Sequence, residues 1–270
     1  MHTAHRYVAG ESSAVVRRAN GGPAKPGFAP PHPLESGIGG RPTLVQNAET
    51  IAHAALIARY GDSWFRERGT DEAPGTALVT LCGNVRYPGV YEIDLGATLE
   101  AVLAGAGGTL TPPAGILVGG YFGSWLPADS LAGIRLTPGA VTCGCGVIGV
   151  LGADACGLSE AASISTYLAR ESAGQCGPCV HGLRAIAETM TRLAASDADQ
   201  GDLVRLQRWT GMVAGRGACH HPDGAINNAV SALDAFPHDL LRHVTGQPCA
   251  GRHRPSLPPP PKQPWRASWR

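Results

Sequence analysis

Cys176 and Cys179 stand two residues apart in ESAGQCGPCVHG, and Cys219 follows in RGACHHPDG. Thiolates at C-x-x-C spacing can grip one metal centre, and a distant third can close that grip after a helical hairpin. A C-x-x-C-x-x-C run would need a cysteine at position 173, where this chain has Ala173. Three chemistries are open to such a set. With His220 or His221 the three cysteines make Cys₃His, a closed tetrahedral zinc set. On an iron–sulfur cluster they leave one iron corner for a histidine, a water or a foreign group, and imidazole ligation raises the potential. The third reading is burial alone, since free cysteine packs as a small hydrophobe. Ser172, His181, His220 and His221 all lie near the gap, and His181 or His220 is the expected occupant of the vacant corner.

The remaining cysteines carry less. Cys143-Gly-Cys145 and Cys156 form a second group whose flanking glycines suit a strand and turn, so a structural role is expected. Cys82 and Cys249 are isolated and receive no role. No apolar h-region follows MHTAHRY and no run of 18 apolar residues occurs, so neither a secretory leader nor a membrane span is expected. A reducing, cytoplasmic setting follows, in which cysteines are free, buried or metal-bound. A net charge of +1 removes any electrostatic case for a nucleic-acid partner. With 37 glycines, 22 prolines and 16% charged residues, the 270-residue chain is loop-rich but able to bury a core.

The elements that must position the cysteines fall into blocks. RRANGGPAKPGFAPPHPLESGIGGRP reads as a turn-rich strap, because glycine and proline forbid a long helix there. LVQNAETIAHAALIARY reads as a helix capped by Asn47 and stopped by Gly61. TALVTLCG and PGVYEIDL are strand candidates, ATLEAVLAGAGG a short helix, and GILVGGYFGSWL a buried strand and turn. From Gly157 onward, four segments show apolar residues at three- and four-residue spacing, as in a helical bundle with short loops. Pro258 to Pro261 and the basic residues around them imply a disordered or polyproline II tail.

Taken together, these motifs resemble the flavin-carrying F subunit of NADH-quinone oxidoreductase and its relatives in NAD-reducing hydrogenases and formate dehydrogenases. YVAGESSAV resembles that family's Y-x-C-G-E-E-T-A-L, and GGRPTLVQNAETIAHA its G-x-P-T-x-V-N-N-V-E-T-L. GNVRYPGVYEIDLGATLEAVL resembles the SLBB β-grasp module, and ESAGQCGPCVHGLRAI the motif E-S-C-G-x-C-x-P-C-R-x-G. The resemblance runs from about Tyr7 to about Val244.

It implies an α+β protein: a partial flavin/NADH-binding region over 1–75, an SLBB β-grasp module over 76–150, a four-helix iron–sulfur bundle over 151–246, and a disordered Pro/Arg-rich tail over 247–270. It implies a 4Fe–4S cluster held by Cys176, Cys179 and Cys219, taking electrons from FMN that NADH has reduced. Tyr7, Gly10 and Glu11 would form one flavin-side strip, and Val45, Asn47 and Thr50 the other. Expected partners are other redox subunits or a ferredoxin-like acceptor. The alternative is a non-redox docking scaffold with a structural zinc or no metal. The chain departs from the family at Ser12, Gln46 and Ala173, where Glu, Asn and Cys are the pattern, and His181 replaces an arginine. The family's glycine-rich FMN-phosphate loop should lie well before Tyr7, so FMN and NADH binding is expected only if a missing N-terminal half completes the chain. A truncated product or a mis-started gene would account for that.

Overall fold

The structure is a computed structural model that describes residues 2–3, 5–27, 31–137, 144–247, 249, 251 and 254–261. The α+β class holds. A five-stranded sheet, ordered β2-β1-β5-β3-β4, is built from β1 (Thr76–Gly83), β2 (Gly89–Asp94), β3 (Pro113–Val118), β4 (Ser124–Pro127) and β5 (Val147–Gly152). β1 pairs antiparallel with β2 and parallel with β5, while β3 pairs antiparallel with both β4 and β5.

Helices precede and follow the sheet: α1 (Ser12–Ala19), α2 (Ala48–Tyr60) and α3 (Asp62–Arg66) before it, α4 (Leu99–Gly105) within it. After it come α5 (Gly157–Arg170), α6 (Leu183–Ala194), α7 (Gln200–Val213), α8 (His221–Ala235) and α9 (Pro237–Val244). The four long C-terminal helices match the four periodic segments. The strap reading differs, because Glu11 caps a short helix, α1, before the glycines begin.

Strand periodicity divides the sheet between two cores. Ile116, Val118, Ile148 and Val150 face α4 and pack with Val79, Leu81, Leu99 and Val102. Their neighbours Leu117 and Leu151 face the other way, into the core of α5, α6, α7 and α8. Side chains alternate across a strand, so residues next to each other in sequence serve different cores. The β-grasp module and the helical bundle therefore share one sheet. β5 was not expected, and it is the central strand. VIGVLG is apolar on both faces, so it shows no alternation to mark it as a strand.

The C-terminal segment departs from the disordered tail that its prolines implied. Leu257 is buried, and the backbone N–H groups of Ser256 and Leu257 both donate to Glu160 Oε1, at 2.5 and 3.2 Å. A Cβ on Gly149 would stand 2.8 Å from Leu257 Cδ2, so glycine in the central strand makes the seat for this strap. Residues 262–270 lie outside the described residues.

Candidate metal centre

The end of α5 and the start of α6 make the site. α5 stops at Arg170, and the chain crosses Glu171 to Gln175 before helical turns resume. Cys176 precedes the first helical residue, and Cys179 lies in a π-helical turn, Pro178–Gly182, that leads into α6. A helix start carries free N–H groups and the positive end of the dipole, both of which favour thiolate. Pro178 lacks an N–H and fits there without loss. Gly182 permits close approach of α6 and α7, since a Cβ there would collide with Val213 Cγ2. The hairpin of α6 and α7 then returns the chain to Cys219 just before α8.

All three cysteines line one small cavity, together with Ser172, Ala173, Val8, Pro26 and His221. Burial pushes the Cys179 thiol up to about 12, and Cys176 and Cys219 add to that shift. Burial raises Cys219 as well, against an opposing backbone N–H of His221, and the charges of Glu11 and Cys176 add to the rise. Three thiolates lining one cavity repel one another unless positive charge sits among them, which is what a metal centre provides.

His221 is the residue that the expectation did not favour. It is 2% exposed and lines the cavity. Its Nε2 donates to the carbonyl oxygen of Leu168 at 2.9 Å, so the second nitrogen, Nδ1, carries a lone pair. Burial holds the imidazole pKa below its usual range, keeping the ring neutral. Nδ1 is buried and has no hydrogen-bond partner among the described residues. By contrast His220 is fully exposed beside Asp223, and His181 is exposed on the π-turn. Neither of the two histidines expected at the vacant corner lines the cavity. Sequence proximity to Cys219 offered both His220 and His221 and favoured His220, whereas burial singles out His221.

The N-terminal strip closes one wall of this site. The backbone N–H of Tyr7 donates to Glu171 Oε2 at 2.6 Å, and Glu171 is fully buried. Lys25 Nζ donates to Ala173 O at 2.8 Å, and Gln175 Nε2 to Pro26 O at 2.9 Å. The Tyr7 ring meets Phe122 at 4.8 Å and Tyr167 at 6.0 Å between centroids, an aromatic screen beside His221. Glu11 accepts from the N–H groups of Ser13 and Ala14 and from the Ser13 hydroxyl, which together outweigh burial and hold its carboxyl below the usual range. Gly10 is exposed with open space around it.

The second strip lies elsewhere. Asn47 accepts from Thr50 N at 2.7 Å as the cap of α2, Thr50 is exposed, Val45 is partly buried, and Glu49 accepts from Leu78 N on β1. Glu11 and Asn47 are thus both engaged as helix caps.

The weaker cysteine group comes apart. Cys145 is exposed beside Gly119 O, and Cys143 lies outside the described residues. Cys156 instead meets His243 and Cys249, a trio whose donor atoms all lie within 4.8 Å of one another. Cys249 had received no role. These three residues are far apart in sequence, and no spacing motif marks them.

Residues 159–243 match the model of the NADH-ubiquinone oxidoreductase-F iron-sulfur binding region, and residues 78–118 match the SLBB domain. An NADH-quinone oxidoreductase F subunit of Rhizobium meliloti (strain 1021) is 32% identical over 250 residues, covering 90% of this chain and 59% of that protein. The HndC subunit of the NADP-reducing hydrogenase of Solidesulfovibrio fructosivorans is 28% identical, covering 90% of this chain and 51% of that protein. The crystal structure of an NAD⁺-reducing NiFe-hydrogenase in the H₂-reduced state superposes with a TM-score of 0.83 at 32% identity, over 88% of this chain and 42% of that one. The chain spans a little over half the length of the curated relatives it matches. Among the described residues no helix is long and apolar enough to cross a membrane. The chain thus joins an SLBB domain to the iron–sulfur binding region of the NADH-ubiquinone oxidoreductase-F type, and over most of its length it is similar to the C-terminal part of NADH-quinone oxidoreductase F subunits.

Proposed function

We propose that Cys176, Cys179 and Cys219 hold a 4Fe–4S cluster with His221 Nδ1 as the fourth donor, and that the chain is an electron-transfer module of an NAD-linked oxidoreductase. The observation that carries this is a single cavity lined by three cysteines and by His221, whose Nδ1 is buried with no hydrogen-bond partner among the described residues. The donor set fits the group: soft sulfur ligands for iron, and a neutral imidazole already fixed by its other nitrogen. When bound, the cluster supplies reversible one-electron storage.

The protein's own residues set the conditions for that chemistry. Tyr7, Phe122 and Tyr167 keep water from the His221 side, and Glu171 pins the strip that carries Tyr7. Lys25 donates to the backbone at Ala173, which fixes the loop where the family pattern has cysteine. Tyr7 lies beside His221 and Glu11 near Cys219, and with Gly10 they would form the side from which a flavin would deliver electrons. FMN and NADH would join this assembly through a glycine-rich flavin-binding segment, with Val45, Asn47 and Thr50 on its flank. The N-terminal helices support that reading. α2 buries none of its side chains, and Ile51, Leu56, Tyr60 and Trp64 stand exposed there and on α3. Such a face suits a covering domain or redox subunit.

Anaerobic reconstitution with iron and sulfide tests the assignment. About four irons and four sulfides per chain, broad absorbance in the visible blue and an EPR signal on reduction are expected. Zinc bound at these cysteines, with neither signal, would overturn it.

A further inference from the structure

The opposite end of α5 carries a second set of metal donors. Cys156 caps the start of α5, His243 lies in the last turn of α9, and Cys249 follows on the strap. Cys156 and His243 are each 1% exposed, and Cys156 Sγ lies 3.3 Å from His243 Nε2. α5 separates this trio from the cluster cavity by its full length, roughly 20 Å at 1.5 Å per residue.

The imidazole is oriented for a ligand. His243 Nδ1 lies 2.9 Å from Ser196 Oγ, so a proton held on Nδ1 leaves the Nε2 lone pair toward the sulfur. A ligating histidine characteristically donates its other N–H in this way, which fixes both tautomer and ring plane. Ser196 is the one non-glycine in the left-handed region among the described residues, at φ 56°. That backbone conformation, which side chains other than asparagine and aspartate seldom adopt, places its hydroxyl directly after α6. A nucleophilic Cys–His dyad is the competing use. Burial, with Asp239 and Cys249 adding, pushes the Cys156 thiol up to about 11, the reverse of an activated nucleophile.

We propose that Cys156, His243 and Cys249 bind one zinc ion, with water in the fourth position, and that this ion fastens the C-terminal strap over the start of α5. Two thiolates and one imidazole are a zinc-type donor set, and their close spacing suits one tetrahedral ion rather than a cluster. Binding releases the two thiol protons and transfers no electrons. The strap already has one fastening, where Ser256 and Leu257 donate to Glu160 and Ser256 Oγ accepts from Gly152 N at 3.0 Å. Cys249 would supply a second, and Gly251 lets the strap lie on Ala155, where a Cβ would come within 2.5 Å of backbone.

Zinc per chain, measured by elemental analysis after equilibration with zinc and desalting, is the test. About one equivalent is expected in the native chain and in Cys176→Ser/Cys179→Ser, which lacks the cluster ligands. Cys249→Ser should lose it while retaining iron at the other site. Ser196→Gly relieves the left-handed backbone yet removes the hydroxyl, so it should fold normally and bind zinc 10- to 100-fold more weakly. Cobalt substitution should give a thiolate-to-metal band in the near ultraviolet that Cys249→Ser abolishes. Zinc content unchanged in Cys249→Ser and Cys156→Ser would overturn the proposal. So would a metal-free native chain with a Cys156–Cys249 disulfide by mass spectrometry.

Discussion

The imidazole of His221 donates from Nε2 to the carbonyl oxygen of Leu168 at 2.9 Å. His221 opens α8 and Leu168 lies in the last turn of α5, so one helix dictates the tautomer of a residue on another. The same carbonyl, near the end of α5, also accepts from the backbone N–H of Glu171 at 3.2 Å. What remains is Nδ1, buried at the cavity that holds the three cysteines.

Replacing His221 tests the corner directly. His221→Ala should give a cluster that loses iron on dilution, because only three protein ligands remain. His221→Cys should keep the cluster and lower its reduction potential by on the order of 100 mV, since thiolate adds charge that imidazole does not. Potentiometry followed by EPR reads both, and pulsed EPR on protein labelled with ¹⁵N-histidine reads the bond itself. Unchanged potentials in both variants, with no nitrogen coupling in the native chain, would remove His221 from the ligand set.

Asp202 links stability to pH in the α6–α7 hairpin. It caps α7 reciprocally with Asp199 and accepts from Arg205 at 2.5 Å and from Arg192 at 2.8 Å. The Arg205 pair is the largest cause holding its carboxyl below the usual range, with Asp199 and Arg192 adding. A depressed carboxyl contributes stability above its unfolded value and loses it as pH falls through the folded value. Asp202→Asn should therefore cost about 1–3 kcal/mol at neutral pH. The difference from the native chain should shrink in urea titrations as the acid range is entered. An equal difference at both pH values would show that shape, not charge, is what Asp202 contributes.

Close packing at Gly182 should be coupled to Val213. Gly182→Ala forces a methyl onto Val213 and should cost about 1–3 kcal/mol while loosening the turn that carries Cys179. Val213→Ala removes the obstructing methyls, so the double variant should recover part of the loss, a coupling of about 0.5–3 kcal/mol. Denaturant titrations of the four proteins close the cycle. Simple additivity would mean that α6 and α7 do not meet at this point.

The sequence by itself determined the local chemistry. Cys176-x-x-Cys179 at a helix start, the Asn47 cap, the amphipathic helices from Gly157 and the alternating strand over 90–95 are all set by near neighbours. Local propensity and periodicity act over a few residues, so a linear reading reaches them. Tertiary structure decided everything that depends on burial or on distant pairing. It separated His221 from the adjacent His220 by placing one ring in the core and the other in water. It made VIGVLG the central strand because both faces are covered, which erases the alternation that marks an exposed strand. It also gathered Cys156, His243 and Cys249 across 93 residues, a meeting that helix lengths and crossing points determine and no spacing in the chain encodes.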